Sequence, residues 1–139
     1  MILGVVTGIS TEVVYAADEP PSQKVVLIEV RHTPESIERK IEQIAEEYGV
    51  DAEIMKTVID CESNGSTTIQ SYHIRPDGSR EQSYGLAQWH IPSKNVAIDG
   101  RVFTEEMAKD PEIAIENMAW YFSRGLQGKW SCYNDIYGE

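Results

Sequence analysis

The chain has 139 residues, 12 of them Lys or Arg and 23 Asp or Glu, which gives a formal charge of −11. That length suits one domain, and an apolar share of 41% argues against disorder. The acidity disfavours general nucleic-acid or anionic-membrane binding, no apolar run reaches the roughly 18 residues of a spanning helix, and two cysteines cannot make a four-cysteine zinc site.

Residues 1–16 are apolar and small, and the composition changes abruptly at Asp18-Glu19-Pro20-Pro21. Val14-Tyr15-Ala16 offers small side chains at the −3 and −1 positions of a cut after Ala16, so this stretch reads as an export signal. No Lys or Arg precedes the apolar run and Glu12 interrupts it, which fits a true start upstream of Met1; the competing reading is an apolar strand. Residues 17–33 read as a linker followed by a short apolar segment. Within it, residues 24–31 (KVVLIEVR) suit either an edge strand or a segment lying on the surface.

Residues 34–139 carry the domain proper. Thr33 and Pro34 open a helix whose apolar face is Ile37, Ile41, Ile44, Ala45 and Tyr48, and Gly49 ends it. Asp51 caps a second helix with Ile54, Val58 and Ile59 on its apolar face, stopped by Asn64-Gly65. Glu62 follows Val58 by four positions and Ile59 by three, so the helix carries a carboxylate on its buried face. Desolvation and the negative end of the helix both disfavour its ionised form there. Residues 67–83 contain two polar runs around Pro76-Asp77-Gly78, a turn signal that predicts a small β-hairpin flap. Thr104 caps a short helix. Asp110-Pro111 opens a longer one with a core face of Ala114, Met118, Tyr121, Phe122 and Leu126, closed by Gly128. The fold expected is mainly α, in the α+β sense, with one small flap.

Three segments fall in a telling order: Glu62-Ser63 closing a helix, Ser83-Tyr84-Gly85-Leu86-Ala87-Gln88 after the flap, and Tyr133-Asn134 after a helix containing Asn117. In this order the chain resembles the soluble lytic transglycosylase catalytic domain, a relative of goose-type lysozyme. The resemblance covers roughly residues 37–134 and implies a lysozyme-like helical domain. It makes Glu62 the catalytic acid/base. It places Ser83 and Gln88 along a sugar groove, Gly85 at a tight backbone position beside it, Tyr133 near the catalytic carboxyl with Asn134 next to it, and Asn117 on the preceding helix. Two departures stand out: Ser83 lies 21 positions after Glu62, more than is usual in the family, and Asp135 replaces the glycine that usually follows Tyr-Asn.

The implied substrate is the glycan strand of peptidoglycan, cut at the β-1,4 bond between N-acetylmuramic acid and N-acetylglucosamine. Such a cut needs a proton donor near neutral pH, which a partly buried Glu supplies. Lytic transglycosylases then use the muramoyl 6-hydroxyl as nucleophile and leave a 1,6-anhydromuramoyl end, with no second carboxylate. Were Asp77 or Glu81 to reach the groove, water activation and lysozyme-type hydrolysis would follow. A non-catalytic wall-binding module is the reading from another class. Cys61 and Cys132 are either buried thiols or, in an exported domain, a single bridge. His32, His73 and His90 lack ligand spacing, so no zinc site is expected, and the implied reaction needs neither a metal nor an organic cofactor. The expected location is the periplasm, cell envelope or exterior.

Overall fold

A computed structural model describes residues 9–15, 25–92 and 95–138. Among them lie five α-helices and two small antiparallel sheets. Strand β1 (Ile9–Tyr15) pairs with β2 (Val25–Arg31) from Ile9 opposite Arg31 to Tyr15 opposite Val25. Of the two options for residues 24–31, the strand is therefore the one observed. The cut expected after Ala16 and the linker that follows it fall outside the described residues.

Helices α1 (Pro34–Tyr48) and α2 (Ala52–Ser63) begin where their caps predict. Thr33 Oγ1 accepts from the Ser36 N–H at 3.1 Å, and Asp51 Oδ1 accepts from the Ile54 N–H at 3.1 Å. Gly49, at φ +67°, closes α1 through its N–H to the Ala45 and Glu46 carbonyls, and Asn64 closes α2 in the left-handed region. α1 buries Ile37, Ile41, Ile44 and Ala45. α2 buries Val58 and Ile59 as predicted, with Met55 buried beside them and Ile54 only partly covered.

α3 (Glu105–Lys109) is capped by Thr104 and α4 (Pro111–Ser123) by Asp110. α4 crosses both α1 and α3, and its Ala114, Ile115, Met118 and Ala119 are fully removed from water. It ends at Ser123, earlier than Gly128, so Leu126 falls beyond the helix and is exposed. Gly125 takes φ +72° and a single 3-10 turn (Gln127–Lys129) leads to α5 (Ser131–Tyr137). The end of the chain is thus helical over Ser131–Tyr137.

The predicted flap is present. Residues 70–84 fold back on themselves around Pro76-Asp77-Gly78, with Ile74 bridged to Arg80 and Gln70 to Tyr84. The returning strand continues into β3 (Ser83–Tyr84), which pairs with β4 (Trp89–His90). Between β3 and β4 the chain turns at Gly85, φ +75°, where a Cβ would collide with the Ala108 carbonyl oxygen. Only glycine satisfies both the sign of φ and this approach. Trp89 then drops into the core, stacked on Phe103 at 4.1 Å and edge-on to Tyr121 and Trp130 at 5.2 Å each. Its indole N–H reaches the Ala114 carbonyl, and that of Trp130 reaches Ala87. These rings fix the β-turn onto the helices, since each such pair contributes about 0.5–1.5 kcal/mol beyond its area.

Cys61 and Cys132 form a disulfide, Cα–Cα 5.9 Å, across a separation of 71 residues. It ties the end of α2 to the start of α5 and stabilises by about 4 kcal/mol on the chain-entropy account.

Candidate functional site

A cleft of about 610 Å³ opens between the end of α2, the flap, β4 and the start of α5. Glu62 enters it from α2, Ser71, His73 and Glu81 from the flap, and Ser83, Gln88 and His90 from the β3–β4 turn; Trp89 and Trp130 lie at its inner side. The flap register explains the composition. Side chains alternate along a strand, so Ser71, His73, Glu81 and Ser83 share the cleft face while Tyr72 and Ile74 are exposed.

Glu62 is partly buried. Its Oε1 accepts from the Cys132 N–H at 3.1 Å, and Ser131, the residue before Cys132, lines the same cleft. Burial pushes the carboxyl above its ordinary value. The Cys132 N–H and Ser131 hydroxyl oppose that rise, and the negative charges of Glu81 and Asp135 add to it. The net result is a carboxyl biased towards its protonated form.

Glu81 is held differently. Its Oε1 accepts from the Ser83 hydroxyl at 3.0 Å and its Oε2 from the Ser71 hydroxyl at 3.2 Å. Behind it stands His90, with Nδ1 3.2 Å from Ser83 Oγ and 3.8 Å from Glu81 Oε1, and Nε2 3.3 Å from the Arg75 guanidinium. A guanidinium only donates, so Nε2 accepts and the imidazole proton sits on Nδ1, facing Ser83. The chain Arg75–His90–Ser83–Glu81 fixes the second carboxylate in the cleft.

The residues expected at the groove divide into two groups. Glu62, Ser83, Gln88 and Glu81 come together. Within that group, Gln88, at φ +51°, spends its amide hydrogens on the Ile69 and Gly85 carbonyls. Gly85 shapes the turn without lining the cleft. Asp77 lies at the exposed flap tip, where its Oδ1 accepts from the Ser79 N–H and hydroxyl and its carboxyl is held below its ordinary value by those bonds. It does not line the cleft, so Glu81 alone of the two proposed second carboxylates does.

Tyr133 also lies elsewhere: its ring packs against Phe122 at 6.0 Å and Tyr137 at 5.3 Å, and the groups beside Glu62 are instead Ser131 and the Cys132 N–H. Asn134 donates to the Gly128 carbonyl. Asn117 is buried, accepting from the Ile98 N–H and donating to the Ile113 carbonyl, both at 2.8 Å, beside a separate 220 Å³ pocket. It anchors the loop before α3 and has no place in the cleft.

Sequence reading missed Ser71, His73, His90, Lys129 and Ser131. The flap register would have found the first two; nothing local points to Ser131. Among the described residues no group of three or more His, Cys, Asp or Glu side chains is placed to hold a metal ion, and no helix is long and apolar enough to cross a membrane. No family model, curated protein or solved structure matches the chain.

Proposed function

We propose that this domain is a peptidoglycan lytic transglycosylase that cuts the β-1,4 bond between N-acetylmuramic acid and N-acetylglucosamine. The observation that carries the proposal is Glu62, a carboxyl with raised proton affinity in a cleft it shares with Ser83 and Gln88. In the reaction, protonated Glu62 gives its proton to the glycosidic oxygen as the C1–O bond breaks. The muramoyl 6-hydroxyl then bonds to C1 and returns its proton to Glu62. The products are a free 4-hydroxyl on the leaving sugar and a 1,6-anhydromuramoyl end. No cofactor enters this scheme.

A second reading, lysozyme-type hydrolysis, is favoured by one observation: Glu81 lies in the same cleft, gripped by two serine hydroxyls. A carboxylate so held can orient a water for attack on C1, leaving a reducing end. Both readings require export to the cell envelope or beyond, and the Cys61–Cys132 bridge is in keeping with an oxidising compartment.

Product analysis of purified sacculi after digestion, with Glu62→Gln as control, tests the proposal. Wild type is expected to release anhydromuramoyl ends and the variant none. Reducing ends would select hydrolysis. Equal clearing by wild type and variant, or clearing by neither, would leave a non-catalytic wall-binding module.

A further inference from the structure

The contacts on Glu62 have an order that the proposed reaction can use. A protonated carboxyl has one oxygen that carries the hydrogen and one that only accepts. The Cys132 N–H, 3.1 Å from Oε1, marks Oε1 as the accepting oxygen and leaves the proton to Oε2. Cys132 is itself half of a disulfide whose other half, Cys61, immediately precedes Glu62. Ser131, just before Cys132, lines the cleft with Glu62, and its hydroxyl favours the ionised form of that carboxyl. One short stretch of α5 thus holds the acid, and one covalent bond holds that stretch to the helix that carries the acid. Ser131 itself is exposed, and α5 lacks a side-chain cap.

We propose that Ser131 and the Cys61–Cys132 bridge form a positioning device for Glu62: the bridge keeps the Cys132 N–H and the Ser131 hydroxyl on the carboxyl, so that one oxygen accepts and the other presents the proton to the cleft. Neither residue touches the reacting atoms. The proposal rests on the catalytic reading of Glu62 for its consequence, though not for its geometry. The other charged or titratable groups around this carboxyl are Glu81 and His73 from the flap, His90 from β4, Lys129 before α5 and Asp135 on α5.

The test follows the Cys132 amide by NMR through a pH titration, beside the cleavage rate on sacculi. In the oxidised protein the amide shift tracks the titration of Glu62, and it is silent in Glu62→Gln. A dithiol reductant breaks the S–S bond by two exchanges, leaving Cys61 and Cys132 as thiols and itself as a cyclic disulfide. After that treatment the Cys132 amide ceases to follow Glu62, while far-UV circular dichroism keeps its helical signal and the cleavage rate falls about tenfold. Ser131→Ala removes a donor that favours the ionised form. The Glu62 titration, and with it the falling alkaline limb of the rate, therefore moves up by about half a pH unit. The rate at optimal pH falls roughly threefold with KM unchanged, and Ser131→Thr restores both.

Ser131→Ala and reduced protein that titrate like wild type would overturn the proposal. Collapse of the helical signal on reduction would overturn the bridge as a local device, because it would then act on the whole fold. If the amide behaves as expected in a protein that cuts no glycan, the positioning stands and the catalytic reading of the cleft fails.

Discussion

The α1–α2–α4 interior and the cleft wall share helix α2 and differ in what they bury. In the interior, Ile41, Met55, Val58, Ile59, Ile115 and Met118 lose nearly all contact with water and bring no polar group with them. One turn further along α2, the same face carries Glu62, and the neighbours become Ser131, the Cys132 N–H and, across the cleft, Glu81. The first region removes apolar area from water at about 25 cal/mol per Å². The second keeps a carboxyl partly desolvated, which opposes folding once that group ionises. A fold with the first can tolerate the second.

The sharpest way to break this comparison is at Glu62. Glu62→Gln is expected to lower glycan cleavage by about 10²- to 10⁴-fold. The fold should not suffer. Burial raises the Glu62 carboxyl above its unfolded value, so its stabilising contribution is present at low pH and lost as pH rises through the folded value. Glutamine has no such loss. The variant's Tm should therefore match or exceed wild type at pH 7, and the advantage should vanish below the unfolded glutamate range.

Met55→Ala is the mirror case. A fully buried side chain goes, and the cost should be about 2–5 kcal/mol in chemical denaturation. The cleavage rate per folded molecule should change little. Glu81→Gln comes next. It removes a negative charge that raises Glu62, so the alkaline limb of the pH–rate profile should move down. Under transglycosylation the rate loss stays below about tenfold and anhydro ends persist. A loss of 10²-fold or more, with reducing ends disappearing, would transfer the chemistry to the hydrolytic reading. Asp77→Asn, at the exposed flap tip, should leave the cleavage rate unaltered.

How much of this was legible in the sequence depends on the range of the interaction. Thr33, Asp51, Thr104 and Asp110 act on N–H groups three residues away, and all four cap as their positions imply. Pro76-Asp77-Gly78 is equally local and turns the flap as expected. α5 was missed because Trp130 at its start offers no side-chain cap and a 3-10 turn interrupts the helical period before it. Glu62 was legible because its spacing from Val58 and Ile59 puts it on a buried face. Its partners were not, since Ser131 and Cys132 lie some 70 residues downstream. Tyr133 and Asn117 lie away from the cleft that their positions in the sequence suggested. The ring of one is absorbed by Phe122 and Tyr137, and the amide of the other by Ile98 and Ile113.

Titration of the Glu62 side-chain carboxyl carbon by NMR, laid over the pH dependence of sacculus cleavage by the same protein, tests the central claim most directly. The midpoint is expected above the ordinary glutamate value, with a rate that falls as pH climbs through it. A midpoint at or below the ordinary value, or a rate indifferent to it, would contradict the account.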